Sequence, residues 1–213
     1  MIRIAVVDNH EVVREGVVGR LASNEELEVV ATVASVEELD LEGWGPEVVV
    51  LLDLWLDGGD SVSAIPALTA TGAKVLLYTT EERPVPLRRA VEAGAVGLLL
   101  KSDPMDTVVQ GVRLAAEGGF CCSGPLAHAL LTSPDRVAEL SDRQVQILGA
   151  LADGLDYRGV AAALGCSVGT IRTHLARIRE RFVAIGVEPT NSLDLVRLAT
   201  AQGHLTPRGV VGL

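Results

Sequence analysis

Residues 48–53 read "VVVLLD": five aliphatic residues in a row, then an acid. A run this short and this apolar suits a strand buried on both faces of a parallel sheet. Working outward, runs of the same kind occur at "IRIAVV" (2–7), "LEVVATVA" (27–34), "KVLLYT" (74–79) and "VGLLL" (96–100). Amphipathic stretches lie between them. Residues 10–22 set Val13, Val17 and Leu21 on one helical face. Residues 84–94 gather Leu87, Ala90 and Val91, with Ala95 beyond them, opposite Arg88, Arg89 and Glu92. Residues 102–119 open with Asp103 as cap and Pro104 at the first helical position, and close on Gly-Gly. The alternation predicts (βα)5: an α/β doubly wound, five-stranded parallel sheet over residues 1–120.

Open sheets of this kind carry function at the carboxyl ends of their strands. Those ends are Asp8, Asp53, Thr79 and Lys101, with only Ser35 after the second strand. Lys101 stands out because the chain has 16 Arg and two Lys. A lysine ammonium binds an anion as a point charge, and two carboxylates suit a hard cation such as Mg²⁺. With the Thr79 hydroxyl, the set predicts phosphoryl transfer to a carboxylate, Asp53 being the nucleophile. Any one of these residues is explained equally well as a turn or cap. Four complementary groups at four strand ends are not.

The C-terminal part has no strand signal. Residues 120–138 read as a connector with a short apolar helical piece (Leu126, Leu130, Leu131). Helices are expected from Ser141 to about Gly154 (Val145, Leu148, Leu151 and Ala152 inward), then at 157–164, 168–183 and 191–202. A short helix with Val160, Ala161 and Leu164 inward meets the turn Gly165-Cys166-Ser167. The next helix puts Val168, Ile171, Leu175, Ile178 and Phe182 on one stripe. Its other face carries Gly169, Thr170, Arg172, Thr173, Ala176 and Arg177. This is helix-turn-helix spacing, with small residues and Arg placed to enter a major groove. Arg179 and Arg181 add phosphate-binding charge.

Bulk properties agree with two modules. The 213 residues are 48% hydrophobic and 22% charged, as in an ordinary globular protein. The net charge of −10 conceals an asymmetry: residues 1–120 carry −11 and residues 121–213 carry +1. No apolar run approaches the ~20 residues of a membrane span, and "MIRIAVVD" lacks a signal-peptide pattern, so a cytoplasmic protein is expected. Cys121, Cys122 and Cys166 form no C-x-x-C pair, and the four histidines lack metal-ligand spacing.

The stretches "VVDNHEVVREGV", "VVVLLDLWLDGGDS", "VLLYTT" and "EAGAVGLLLKSDP" resemble the receiver domain of bacterial response regulators. The resemblance implies that Asp53 accepts phosphate from a histidine kinase. It also implies that Asp8, the position of Asn9, Asp53 and the Trp55 backbone carbonyl form a Mg²⁺ site. Thr79 and Lys101 match the switch hydroxyl and the phosphate-sensing lysine. The family usually has a second acid where this chain has Asn9, an aromatic switch residue where it has Leu98, and Met-Pro-Gly where it has Leu56-Asp57-Gly58. Mg²⁺ affinity is therefore expected to be weakened, with Asp57 adding a nearby carboxylate.

"LSDRQVQILGALADGLDYRGVAAALGCSVGTIRTHLARI" is similar to the LuxR-type DNA-binding domain of the NarL/FixJ class. Here Val168 replaces an acid, Ala176 a basic residue, and Gln144 and Gln146 two Glu, while the connector 183–192 is longer than usual. The resemblance implies DNA binding through Thr170, Arg172, Thr173, His174, Ala176, Arg177 and Arg179. It further implies a homodimer contact through Leu193, Val196 and Ala199. The expected organisation is a receiver over 1–120, a linker over 121–138 and a four-helix, all-α DNA-binding domain over 139–213. The expected function is a DNA-binding transcriptional response regulator, with an atypical receiver weakly or not at all dependent on phosphate. The alternative is a protein-interaction or ligand-sensing adaptor with little DNA binding. An enzyme such as a phosphatase using Asp53 would need a second general acid or a lid, and the sequence offers neither.

Overall fold

The computed structural model describes residues 1–132 and 137–206. Residues 133–136 of the expected linker and 207–213 of the expected DNA-binding domain lie outside the described residues. The chain divides into two compact units. The first comprises Met1–Glu82 and Pro86–Leu130; the second takes in the helical C-terminal part and the short segment Arg83–Val85.

In the first unit the five apolar runs become β1 (Ile2–Val7), β2 (Leu27–Val33), β3 (Val48–Leu52), β6 (Lys74–Thr79) and β7 (Gly97–Leu100). All pair in parallel, in the order β2-β1-β3-β6-β7. The central strand β3 is buried at all five positions, as a run without polar alternation requires. Alternate residues of the strands feed two cores. Val48, Val50 and Leu52 join one; Val49 and Leu51 join the other. The helices packed on the sheet are α1 (Glu11–Leu21), α2 (Ile65–Ala70), α3 (Pro84–Glu92) and α4 (Met105–Ala116).

Three expectations need correction. The sheet has six strands, because β8 (Cys121–Cys122) pairs in parallel with β7 at the edge. Two residues are too short a run to stand out, so these were read as linker. The link between β2 and β3 holds only a 3-10 turn, Val36–Glu38, where the alternation called for a helix. Gly43, Gly45 and Pro46 leave little room for one. Asp103 does not cap α4: Pro104 is the cap residue, and Asp103 Oδ2 accepts from the Leu100 amide at 2.8 Å.

After the first two residues beyond β3, the chain turns through a small hairpin, β4 (Trp55–Leu56) with β5 (Gly59–Asp60). It leads into α2, and α5 (Gly124–Thr132) follows β8.

The second unit contains α6 (Asp142–Ala152), α7 (Tyr157–Ala163), α8 (Val168–Ala184) and α9 (Ser192–Gln202). Each start is fixed by a side chain. Ser141 and Gln144 form a reciprocal capping box, and Asp156, Ser167 and Asn191 cap the other three. Ile147, Leu148, Val160, Ile171, Ile178 and Phe182 build the core. In α6 the inward face is Gln144, Ile147 and Leu148, whereas Val145 and Leu151 are half-buried and Ala152 is exposed. Among the described residues, no helix is long and apolar enough to cross a membrane.

Candidate functional site

The parallel order brings the ends of β1, β3, β6 and β7 to one edge, where Asp8, Asp53, Thr79 and Lys101 meet. Asp8 is 2% exposed, Asp53 4% and Thr79 0%. The Lys101 Nζ lies 2.6 Å from Asp8 Oδ2 and 2.7 Å from Asp53 Oδ2, so one ammonium bridges both carboxylates. Burial holds the Asp53 carboxyl above the usual carboxylate range, with the Asp8 charge adding to it, against the opposing pull of Lys101. The second Asp53 oxygen, Oδ1, takes a long 3.4 Å contact from the Trp55 amide and is the freer one to attack an electrophile. Ser61 Oγ donates to the Asp53 carbonyl at 2.7 Å and fixes the backbone beneath it.

Asn9 does not point idly. Its Nδ2 donates to Asp57 Oδ1 at 2.7 Å, across 48 residues. An ionised carboxylate only accepts, so the amide orientation is determined and Oδ1 faces the other way. That Oδ1 is buried without a hydrogen-bond partner. This orphaned amide oxygen, like the carboxylates of Asp8 and Asp53, is a hard-oxygen donor of the kind Mg²⁺ takes. The residues therefore fit the cation, with one negative charge fewer than two adjacent acids would bring.

Thr79 Oγ1 accepts from the Glu81 amide at 3.1 Å, which leaves its own hydroxyl hydrogen to donate. Leu98 is fully buried in the sheet core.

Three side chains at this edge were not anticipated. His10 donates its amide to Asp8 Oδ1 at 2.9 Å and sets its ring Nδ1 3.2 Å from the same oxygen, in a group with Asp8 and Asp53. It stands two residues from Asp8, and the spacing of the four histidines along the chain gives no sign of this grouping. Trp55 donates from its indole to Glu81 Oε2 at 2.9 Å. Glu81 is 6% exposed, which is unusual for a carboxylate. This pairing spans 26 residues and leaves no local sequence signal.

In the second unit, Ser167 caps α8 and positions its first turn against the Gly165 turn, where φ is +62°. Ile171, Leu175, Ile178 and Phe182 face inward. Thr170, Arg172, Thr173, Ala176, Arg177 and Arg179 are exposed on the other face, and His174 is half-buried. They form one contiguous face, but not all are equally free. Thr170 Oγ1 bonds to Ser167 Oγ, Thr173 Oγ1 donates to the Gly169 carbonyl, and Arg179 donates to the Thr190 carbonyl at 3.2 Å. Arg181 donates to the Glu139 carbonyl, which ties it to the chain before α6. Arg172 borders a groove of about 540 Å³ with Tyr157, Ser192 and Leu193.

On α9, Leu193 is 66% exposed and Val196 is half-buried. Ala199 is fully buried in the core of its own domain, so it is not available to a second copy. The spacing placed it on the same stripe, but that stripe divides between core and surface.

Residues 138–187 match the model of the luxR family of bacterial regulatory proteins. The transcriptional regulatory protein UhpA of Escherichia coli (strain K12) is 30% identical over 202 residues, covering 92% of this chain and 97% of that protein. LnrK of Bacillus subtilis (strain 168), also a transcriptional regulatory protein, is 29% identical over 200 residues, covering 84% and 89%. The crystal structure of ChrA, the response regulator of a heme-sensing two-component system, is 32% identical and superposes with a TM-score of 0.57 over 96% of this chain and 98% of that one. RcsB from Salmonella enterica serovar Typhimurium, bound to a promoter, shares the fold at 19% identity, with a TM-score of 0.62 over 94% and 98%. The chain belongs to the luxR-family transcriptional response regulators of the NarL/UhpA type.

Proposed function

We propose that the exposed face of α8 binds double-stranded DNA, and that Asp53 is a phosphate acceptor of reduced competence that controls this binding. The observation that carries the DNA reading is the division of α8. One stripe is locked into the core, while Thr170, Arg172, Thr173 and Arg177 are exposed on the other behind a tight, glycine-containing turn. A helix presented this way enters a major groove, with Arg contacting guanine or phosphate and the Thr side chains close to base edges. The protein acts in the cytoplasm as a homodimer, with Leu193 and Val196 supplying the apolar contact between copies.

In the receiver, Asp53 Oδ1 attacks phosphorus, the bond to the donor histidine nitrogen breaks, and an acyl phosphate forms on Asp53. Asp8, Asn9 and the Trp55 carbonyl would hold Mg²⁺ beside it; when bound, the cation neutralises phosphoryl oxygens. Lys101 follows the incoming charge and leaves Asp8. Thr79 donates its hydroxyl to a phosphoryl oxygen. Asn9 lowers the charge holding the cation, so modification is slow.

Fluorescence anisotropy with labelled duplex DNA at low salt tests the reading. The full chain binds. Arg172→Ala with Arg177→Ala weakens binding and flattens its salt dependence by about 0.9 per lost phosphate contact. Equal affinity of the two proteins with unchanged salt slope refutes the placement on α8, and no binding by either favours the adaptor function.

A further inference from the structure

The aromatic residue that usually moves at position 98 is a leucine sealed in the core here, so the pocket needs another route outward. Two facts identify one. Thr79 Oγ1 accepts from the Glu81 amide, and the Glu81 carboxylate accepts from the Trp55 indole at 2.9 Å. Trp55 is two residues past Asp53 and pairs with Asp60 in the β4–β5 hairpin. Asp60 Oδ2 in turn holds Arg89 of α3 at 3.0 Å. A series of polar contacts and one strand pairing thus leads from the Thr79 hydroxyl at the end of β6, by way of Trp55 and its hairpin, to a surface helix.

We propose that Glu81 and Trp55 are positioning residues that do the work of the absent aromatic switch. The proposal rests on Asp53 being the phosphoacceptor. When the Thr79 side chain rotates to carry Oγ1 to a phosphoryl oxygen, Oγ1 moves out of reach of the Glu81 amide, which loses its acceptor. Residues around 81 shift, the carboxylate withdraws from the indole, and the hairpin with Asp60 re-sets its hold on Arg89. The indole is the moving aromatic in this receiver, and it moves at the mouth of the pocket rather than at position 98. A merely structural latch would keep the same Trp55–Glu81 contact in both states.

The test is nitrogen-15 NMR of the full chain carrying Trp44→Phe, which leaves Trp55 as the one indole signal. Beryllofluoride with Mg²⁺ serves as the acyl phosphate mimic. The expected result is that the Trp55 indole N–H moves toward the position of an unbonded indole, together with the amides of Asp53 and Lys101. Glu81→Gln, whose side-chain carbonyl still accepts, keeps the response. Glu81→Leu starts at the unbonded position and does not move. Thr79→Ala loses the indole change, and Thr79→Ser, which retains the hydroxyl, keeps it. An indole signal that stays put in the parent while the Asp53 and Lys101 amides shift overturns the relay and leaves the phosphate reading intact. If neither set moves, in the parent and in Asn9→Asp alike, the phosphate reading itself is refuted and the relay falls with it.

Discussion

Replacing Lys101 with methionine removes the one cation that, among the described residues, touches both buried acids. Its Nζ sits 2.6 and 2.7 Å from Asp8 and Asp53, with the lysine side chain 11% exposed. At an effective dielectric of about 20, each contact carries roughly 6 kcal/mol of raw attraction, which the desolvation of the lysine largely offsets. Methionine refills the stem volume but leaves two carboxylates whose ligand atoms lie within 4.8 Å of one another. Their repulsion at that distance is about 3–4 kcal/mol, close to the roughly 3–5 kcal/mol expected for removing one partner of a buried pair.

Both tryptophans, Trp44 and Trp55, are in the first unit, so fluorescence during urea unfolding of the full chain reports that unit alone. With an m-value of about 2 kcal/mol per molar urea, the Lys101→Met midpoint falls by about 1.5–2 M near neutral pH. The pH dependence has a definite sign. Lys101 pulls the Asp53 pKa down against burial, so losing it raises the folded-state value further. A carboxyl whose folded pKa lies above its unfolded one is destabilising above that folded pKa, and the penalty disappears below the ordinary carboxylate range. The deficit therefore shrinks as the pH is lowered and one proton enters the site; added Mg²⁺ shrinks it too. A midpoint change below about 0.3 M near neutrality, or a change of equal size at pH about 5 and about 7.5, refutes the bridging role.

Asp53→Asn should unfold later than the parent near neutral pH, because it removes a carboxylate that burial and Asp8 make costly to ionise; the advantage disappears on acidification, as urea titrations at several pH values will show. Ser141→Ala removes the Oγ that accepts from the Gln144 amide, leaving the residue-141 amide bonded to Gln144 Oε1, and should cost about 1 kcal/mol, read as a lower thermal midpoint by circular dichroism. Gly97→Ala puts a Cβ 2.5 Å from Cys121 Sγ and 2.6 Å from Leu76 Cδ1, a clash between adjacent strands. It should cost about 1–3 kcal/mol in the same tryptophan-monitored urea titration.

Much of this was legible in the chain because strand burial is a local property. The run 48–53 needs no partner to declare itself buried, and the residue after each such run lands at one edge once the order is parallel. That logic brings Asp8, Asp53 and Lys101 to one edge, where they are in contact, with Thr79 at the end of the neighbouring strand. The helices of the second unit were equally plain from their apolar spacing, and Ser141 announces the first of them; Asp156, Ser167 and Asn191 cap the other three in the structure. What local pattern does not encode is long-range pairing. Asn9 with Asp57 and Trp55 with Glu81 depend on how two loops settle over the pocket. A two-residue strand such as Cys121–Cys122 depends on an edge being open to accept it. Ala199 shows the limit of periodicity: one helical stripe fed both core and surface, and residue size did not reveal which part would be covered.

The most direct test is selection from random double-stranded oligonucleotides with the full chain, read against Arg172→Ala and Thr173→Ala. The account predicts that the parent enriches a motif built from two half-sites and that both substitutions weaken or alter it at matching positions. A parent pool that stays unenriched at low salt, with the helical unit shown by circular dichroism to be folded, would contradict it.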